Sequence, residues 1–168
     1  LNPFKIQKID LGGLIIEEQP LDMVERVVQI IDFVFNLGVQ QRTLLTENIL
    51  EGYRLNGQSY TFSHLREDLV NSEDTGKQNL YGRISTLLKR DPFSYDNNFS
   101  WKDVFNNTGE IHIFQLKGFQ RQIQQVMIEF MMWDLFQYAT KSGTEDTPLP
   151  IVLDEIQNLN FSANSPAV

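Results

Sequence analysis

The sequence contains no cysteine. Disulfide bonds and thiolate metal sites are therefore excluded, and a reducing compartment is the expected setting. No apolar run approaches the roughly 20 residues that a membrane-spanning helix needs. The N-terminal stretch LNPFKIQKID also lacks the layout of a secretory signal. We therefore expect a cytoplasmic protein that has no membrane partner.

Positive charge is scarce as well. The formal net charge of −8 argues against a broad nucleic-acid-binding surface. One stretch, residues 76–90, departs from this pattern because it holds no acidic residue and four cations, Lys77, Arg83, Lys89 and Arg90. One interpretation is a helix face that contacts DNA phosphates through its positive charge. The alternative is an ordinary solvated helix face.

A phosphate-binding loop is the third absence. A Walker A motif needs Gly, four residues, then Gly-Lys-Ser/Thr, because its amides hold phosphate and its hydroxyl reaches Mg²⁺. The stretch NSEDTGKQ contains Gly76 and Lys77, but Asn71 replaces the first glycine and Gln78 replaces the hydroxyl. This stretch is therefore not predicted to bind nucleotide.

Apolar residues make up 41% of the chain, enough for one core. Their spacing predicts four amphipathic helices in the first half. The first covers Leu21 to Phe35, the second runs from about Gly38 to Tyr53, and the fourth lies within residues 76–90. The third, in TFSHLREDLV, is expected to be capped by Thr61 or Ser63.

The second half of the chain has a different hydrophobic pattern, which includes stretches typical of strands. Residues 91–110 are predicted to be mostly loop with one short helical turn. The alternation in IHIFQL predicts a strand over Ile111 to Leu116. A long helix follows in RQIQQVMIEFMMWDLFQYATK, and its apolar part, Val126 to Phe136, is expected in the core. The continuous apolar run LPIVL is typical of a buried parallel strand, so the tail predicts a strand, helix, strand crossover.

The stretch PLPIVLDEIQNL ends its apolar run in two carboxylates, Asp154 and Glu155. Ligands of open α/β sheets bind beyond the carboxyl ends of parallel strands. Because adjacent strand residues point to opposite sides, one carboxylate is expected to hold a metal and the other to orient water. An apolar strand followed by Asp-Glu is the Walker B pattern of P-loop NTPases. The alternative is a buried strand that meets solvent at a charged turn.

Further motifs occur in order around this pair: NPFKI, NLGVQQRTLLTENILEGY, IHIFQLKGFQ and VLDEIQNL. Together they resemble the HerA/FtsK-like branch of P-loop ATPases. The matching residues are Asn2-Pro3, Leu37-Gly38, Gln40-Gln41, Tyr53 and Asp154 to Leu159. The long helical region is most similar to the helicase domain of DptH-type proteins, which accompany DNA phosphorothioation-dependent restriction. A DNA-pumping or conjugation ATPase of the same branch would look similar.

The resemblance implies a fold and a division of the chain. The fold class is α/β, a partial RecA-like P-loop core that carries a mostly helical insertion. Residues 1–168 would be a fragment of one ATPase domain, with the insertion at 20–95 and a strand, helix, strand core at 110–160 ending in Walker B. The Walker A loop and the arginine finger would lie outside this chain. The isolated piece is therefore expected to bind nucleotide weakly or not at all.

The resemblance also implies a function, ATP-driven translocation or unwinding of DNA by the parent protein. ATP and Mg²⁺ are the implied cofactors; Asp154 would hold Mg²⁺ through water and Glu155 would orient and deprotonate the attacking water. Gln115 is a candidate phosphate sensor, or pairs with backbone at a strand end. DNA, further copies of the chain in a ring and other restriction-system proteins are the implied partners. The alternative function is a non-catalytic helical module that binds a partner protein.

Overall fold

The structure, a computed structural model, describes residues 1–10, 14–93, 100–106, 109–142, 150–152 and 165–166. Most of these residues are helical. The helices are α1 (Pro20–Phe35), α2 (Val39–Asn56), α3 (Phe62–Val70), α4 (Thr75–Arg90), α5 (Trp101–Asn106) and α6 (Arg121–Ser142). A 3-10 turn, Gly57–Ser59, links α2 to α3. Two short strands, β1 (Lys8–Asp10) and β2 (Ile15–Glu17), pair as an antiparallel hairpin.

The four helices predicted in the first half are confirmed. α1 begins at Pro20, which lacks an N–H that would be unpaired at this position anyway. It ends where Asn36 takes a left-handed conformation with a φ of 51°. Thr61, and not Ser63, precedes α3. Asp74 caps α4 by accepting hydrogen bonds from two backbone N–H groups of its first turn.

One core joins α1, α2, α3, α4 and the first half of α6. Its fully buried residues include Met23, Val24, Val27, Ile30, Ile31, Leu45, Ile49, Leu65, Leu69, Leu80, Ile84, Leu87, Ile123 and Val126. Removing each of these side chains from water stabilises the fold by about 1.5–3 kcal/mol. The apolar stripes that predict the helices are therefore the surfaces that pack together.

The N-terminal turn is attached to this core by Phe4. Its ring is buried and meets Tyr60 and Phe62 edge-on, at centroid distances of 4.9 and 4.8 Å. The side chain of Asn2 accepts a hydrogen bond from the N–H of Phe4 at 3.0 Å, and the N–H of Lys5 donates to the Asn2 carbonyl at 3.2 Å. These bonds close the NPFK stretch into a tight turn.

The long helix α6 contributes to two apolar clusters. Its first half completes the main core, and Leu135 in its second half packs with Trp101 and Val104 of α5. Phe136 is exposed, so the predicted apolar segment is buried only in part. Within the described part of the chain, no helix is long and apolar enough to cross a membrane.

The predicted α/β fold is wrong for the described residues, which are mostly helical. Residues 111–116, predicted as a strand, are irregular, and Ile111 is 88% exposed. Ile151 and Val152, expected in a buried parallel strand, are also irregular, and Val152 is 90% exposed. The physical reason is that strand propensity is a local preference, whereas a sheet needs neighbouring strands to pair its backbone groups. In the described part, the β1–β2 hairpin is the strand pairing, and it is antiparallel.

Candidate functional site

The predicted catalytic pair, Asp154 and Glu155, lies outside the described residues. Its nearest described neighbours are Ile151 and Val152, which are exposed. Gln115 is also exposed, on the irregular segment 111–116. Its predicted position depended on a strand over residues 111–116, and these residues do not form a strand. Its role as a phosphate sensor therefore stays a prediction.

The four cations of residues 76–90 all lie on α4, but they do not share one face. At about 100° per residue, Arg83 and Arg90 point the same way, whereas Lys77 and Lys89 each point roughly 120° away from them. Arg83 is engaged within the fold, because its guanidinium donates to the carbonyls of Phe35 at 2.8 Å and of residue 36 at 3.2 Å. Arg83 therefore ties α4 to the C-terminal end of α1.

A buried arginine on α1, Arg26, organises a polar cluster that the sequence did not predict. Arg26 is 8% exposed. Its guanidinium donates to the carbonyls of Pro3 and Lys5 and to Oε2 of Glu18, each at 3.2 Å. It also lies over the ring of Trp133, 4.0 Å from the centroid. One side chain thus joins the N-terminal turn, the residue after β2 and α6.

Asp134, next to Trp133 on α6, extends this cluster. Its two carboxylate oxygens accept hydrogen bonds from Gln7 Nε2 and from Trp101 Nε1, both at 2.9 Å. Partial burial lowers the pKa of Lys141 on the same helix, while Glu18 and Asp134 raise it. The cluster therefore brings the start of the chain and α5 onto the second half of α6.

The cluster contains charges of both signs. Arg26 and Lys141 are cationic, whereas Glu18 and Asp134 are acidic. Burial lowers the pKa of the Arg26 guanidinium, and the Coulomb attraction of Glu18 opposes this effect. Hydrogen bonds and an ion pair connect Arg26 to Glu18 and Asp134 to Gln7. The chemical role of the cluster is to hold these elements together.

A second buried polar group lies in the first half of α6. Glu129 is 1% exposed. It accepts hydrogen bonds from Gln125 Nε2 at 2.9 Å and from Ser165 Oγ at 2.6 Å. Ser165 is 36 residues away along the chain, so this contact brings the C-terminal stretch back onto α6.

A shallow cleft opens beside the N-terminal turn. Its lining residues are Asn2, Pro3, Phe4, Thr61, Phe62, Asp91 and Phe93. Burial raises the pKa of the Asp91 carboxyl, and a backbone hydrogen bond from Phe93 opposes the shift. The cleft has room for about one water molecule, which is too little for a nucleotide. Among the described residues, no group of three or more His, Asp or Glu side chains is arranged to hold a metal ion.

Sequence reasoning missed both Arg26 and Glu129. Each interrupts an apolar pattern: Arg26 lies between Val24 and Val27, and Glu129 lies between Ile128 and Phe130. A charged residue inside a stripe that must be buried is itself a signal, because burial requires hydrogen-bonding partners. The identity of those partners depends on the tertiary fold.

No family model, curated protein or solved structure matches the chain. The resemblance to the HerA/FtsK-like branch of P-loop ATPases therefore rests on the sequence motifs quoted above.

Proposed function

We propose that this chain is part of an ATP-hydrolysing DNA translocase or helicase, to which it contributes the carboxylates of Asp154 and Glu155. The observation that carries the proposal is the ordered series of motifs that ends in this acidic pair after an apolar run. Asp154 would hold Mg²⁺ through a water molecule, and Glu155 would orient and deprotonate the water that attacks ATP. The phosphate-binding loop and the arginine finger would come from outside these 168 residues, the latter from a neighbouring copy in a ring.

Two of the matching motifs form defined local structures, the N-terminal turn and the start of α2. Asn2 closes the N-terminal turn, and Arg26 binds the carbonyl of Pro3 within it. At the start of α2, the side chain of Gln41 accepts a hydrogen bond from the N–H of Gly38 at 3.1 Å. These residues therefore have specific tasks in local structure.

The ATPase proposal is tested in the full-length parent protein with Glu155→Gln. We expect Mg²⁺-dependent ATP binding to persist and DNA-stimulated hydrolysis to fall by about 10²–10⁴-fold, the contribution typical of a general base. Glu47→Gln is the matched control, since Glu47 is exposed on α2, and it should leave turnover unchanged. Wild-type turnover in the Glu155→Gln protein would remove Glu155 from the mechanism.

DNA contact is proposed for the end of α4, where Lys89 and Arg90 are exposed in the last turn. Arg83 is a weaker candidate because it is bonded to backbone carbonyls of α1. Arg90→Glu should weaken DNA binding and reduce the slope of its salt dependence by about one. Arg66→Glu, an exposed change on α3, is the control. If the two variants bind DNA equally well, α4 is a solvated helix that does not contact DNA.

A second candidate function is a non-catalytic module that binds a partner protein. The specific observation is the exposed apolar surface of the irregular segment, where Ile111 and Ile113 both face solvent, and of β2, where Ile15 does. Nucleotide binding by the parent protein separates the candidates. If a fluorescent ATP analogue fails to bind the parent protein with Mg²⁺ present, the module is favoured; binding that competes with ATP favours the ATPase.

A further inference from the structure

The C-terminal end of α2 carries an Asn-Gly pair, Asn56 and Gly57. In such a pair the backbone nitrogen of the glycine can attack Cγ of the asparagine side chain. The bond from Cγ to Nδ2 breaks, the amide leaves as ammonia with the N–H proton of the glycine, and a five-membered succinimide ring closes. Water then opens the ring to an aspartate or an isoaspartate. Because glycine has no Cβ, it hinders this attack less than any other residue.

The last turn of α2, residues 53–56, leaves this pair accessible to water. Asn56 is exposed, as are the two residues before it, and Leu55 is 67% exposed. The ion pair between Arg54 and Glu51 lies on the surface, where such pairs contribute little stability. Few buried contacts therefore hold this turn, and helix ends of this kind open at a low cost in free energy.

Two hydrogen bonds keep the pair unreactive while the turn is closed. The N–H of Gly57 donates to the carbonyl of Tyr53. Nδ2 of Asn56 donates to the carbonyl of Gly52 at 2.9 Å. The backbone of Asn56 is also nearly helical, with a ψ of −11°, which turns the Gly57 nitrogen away from Cγ. Ring closure therefore requires the last turn of α2 to open first.

We infer that Asn56 is a site of spontaneous deamidation, and that opening of the last turn of α2 sets its rate. The reaction needs only water and is independent of the function proposed above. Its product would weaken the turn that controls it, because the new carboxylate replaces the donor to the carbonyl of Gly52 with an acceptor. The carboxylate also adds negative charge at the C-terminal end of a helix. The modification would thus reach Gly52, against which Tyr60 packs.

Peptide mapping of the full-length parent protein by mass spectrometry tests the site. During incubation at mildly alkaline pH, the peptide that contains Asn56 should gain the mass difference between an amide and an acid. Asn79, which is exposed on α4 and precedes Leu80, is the internal control. It should convert at least roughly tenfold more slowly, because a leucine side chain hinders the attack. Conversion at Asn56 that is no faster than at Asn79 would overturn the site.

Substitutions at Leu55 test the control by the last turn. Because Leu55 is 67% exposed, Leu55→Gly and Leu55→Ala both remove little packing, and they differ mainly in helix propensity. This difference corresponds to a change of about fivefold in the opening equilibrium of the turn. Asn56 should therefore convert about fivefold faster in the glycine variant than in the alanine variant. Equal rates in the two variants would overturn the control by this turn.

Asn56→Asp reproduces the chemical change and tests its consequence. This variant should speed hydrogen exchange of the Gly57 amide by about fivefold, the effect of losing one hydrogen bond in the turn. Asn79→Asp is the matched control, since it makes the same change on an exposed part of α4, and it should leave that exchange at the wild-type rate. Wild-type exchange in Asn56→Asp would show that deamidation leaves the turn intact and would overturn this consequence.

Discussion

Gly52, in the fourth turn of α2, should be a position where alanine destabilises a helix. Alanine normally stabilises a helix interior by about 0.8–1 kcal/mol relative to glycine. Here an added Cβ would lie 2.6 Å from Cζ and 2.8 Å from Oη of Tyr60, whereas carbon atoms pack at roughly 3.5–4 Å. The Tyr60 ring would have to move by about 1 Å.

The ring of Tyr60 has little freedom to move. It is fully buried, and it contacts Phe4 edge-on at 4.9 Å and stacks on His64 at 5.8 Å. Overpacking of this kind costs about 1–3 kcal/mol, which exceeds the propensity gain. We therefore expect Gly52→Ala to lower the free energy of unfolding by up to about 2 kcal/mol.

Urea unfolding followed by circular dichroism measures this change. Gly82→Ala on α4 is the matched control, because a Cβ added there meets nothing within 4 Å, and it should raise stability by up to about 1 kcal/mol. In a Tyr60→Leu background, Gly52→Ala should lose most of its cost. Equal stabilisation by the two alanine variants would refute the packing of Tyr60 against Gly52.

Three further changes test the charged groups, each by urea unfolding. Glu18→Gln should cost about 2 kcal/mol, because it removes the charge that faces buried Arg26. Asp91→Asn should gain about 0.5 kcal/mol at neutral pH, since Asp91 places an acid at the C-terminal end of α4 with a φ of 28°. Burial raises the pKa of the Asp91 carboxyl, so the wild type loses stability as pH rises through that pKa, and the gain should vanish at lower pH. Arg83→Gln should cost about 1 kcal/mol through its lost bonds to α1.

Neighbouring residues provide controls for two of these changes. Glu17→Gln should cost at most about 0.5 kcal/mol, because its ion pair with Lys8 is exposed at both ends. Arg90→Gln on α4 should change stability by no more than about 0.5 kcal/mol. If Glu17→Gln costs as much stability as Glu18→Gln, burial of the ion pair is not what makes Glu18 important. If Arg90→Gln costs as much as Arg83→Gln, the bonds of Arg83 to α1 do not contribute to stability.

The helices could be predicted because their information is local. The stripe from Val24 to Phe35 and the cap at Thr61 specify helices through side chains within a few positions of one another. The segment 111–116 has equally clear local alternation, but pairing requires a second strand, and the described chain supplies none beside it.

The polar clusters could not be predicted, because their partners are far apart in sequence. Arg26 binds Pro3 and Glu18 and lies over Trp133, and no spacing rule relates these positions. The structure does explain why charged residues sit within the apolar patterns of α1 and α6. Each gives its helix a specific set of hydrogen bonds, which an apolar side chain of similar volume would not provide.

The helix α6 is the element through which these clusters connect. Its first half completes the main core and binds Ser165 through Glu129, and its second half carries Trp133 and Asp134 of the Arg26 cluster. A small shift of α6 would therefore disturb the N-terminal turn and the C-terminal stretch together. A change in the Arg26 cluster, such as Glu18→Gln, should then alter hydrogen exchange at Ser165 as well as global stability.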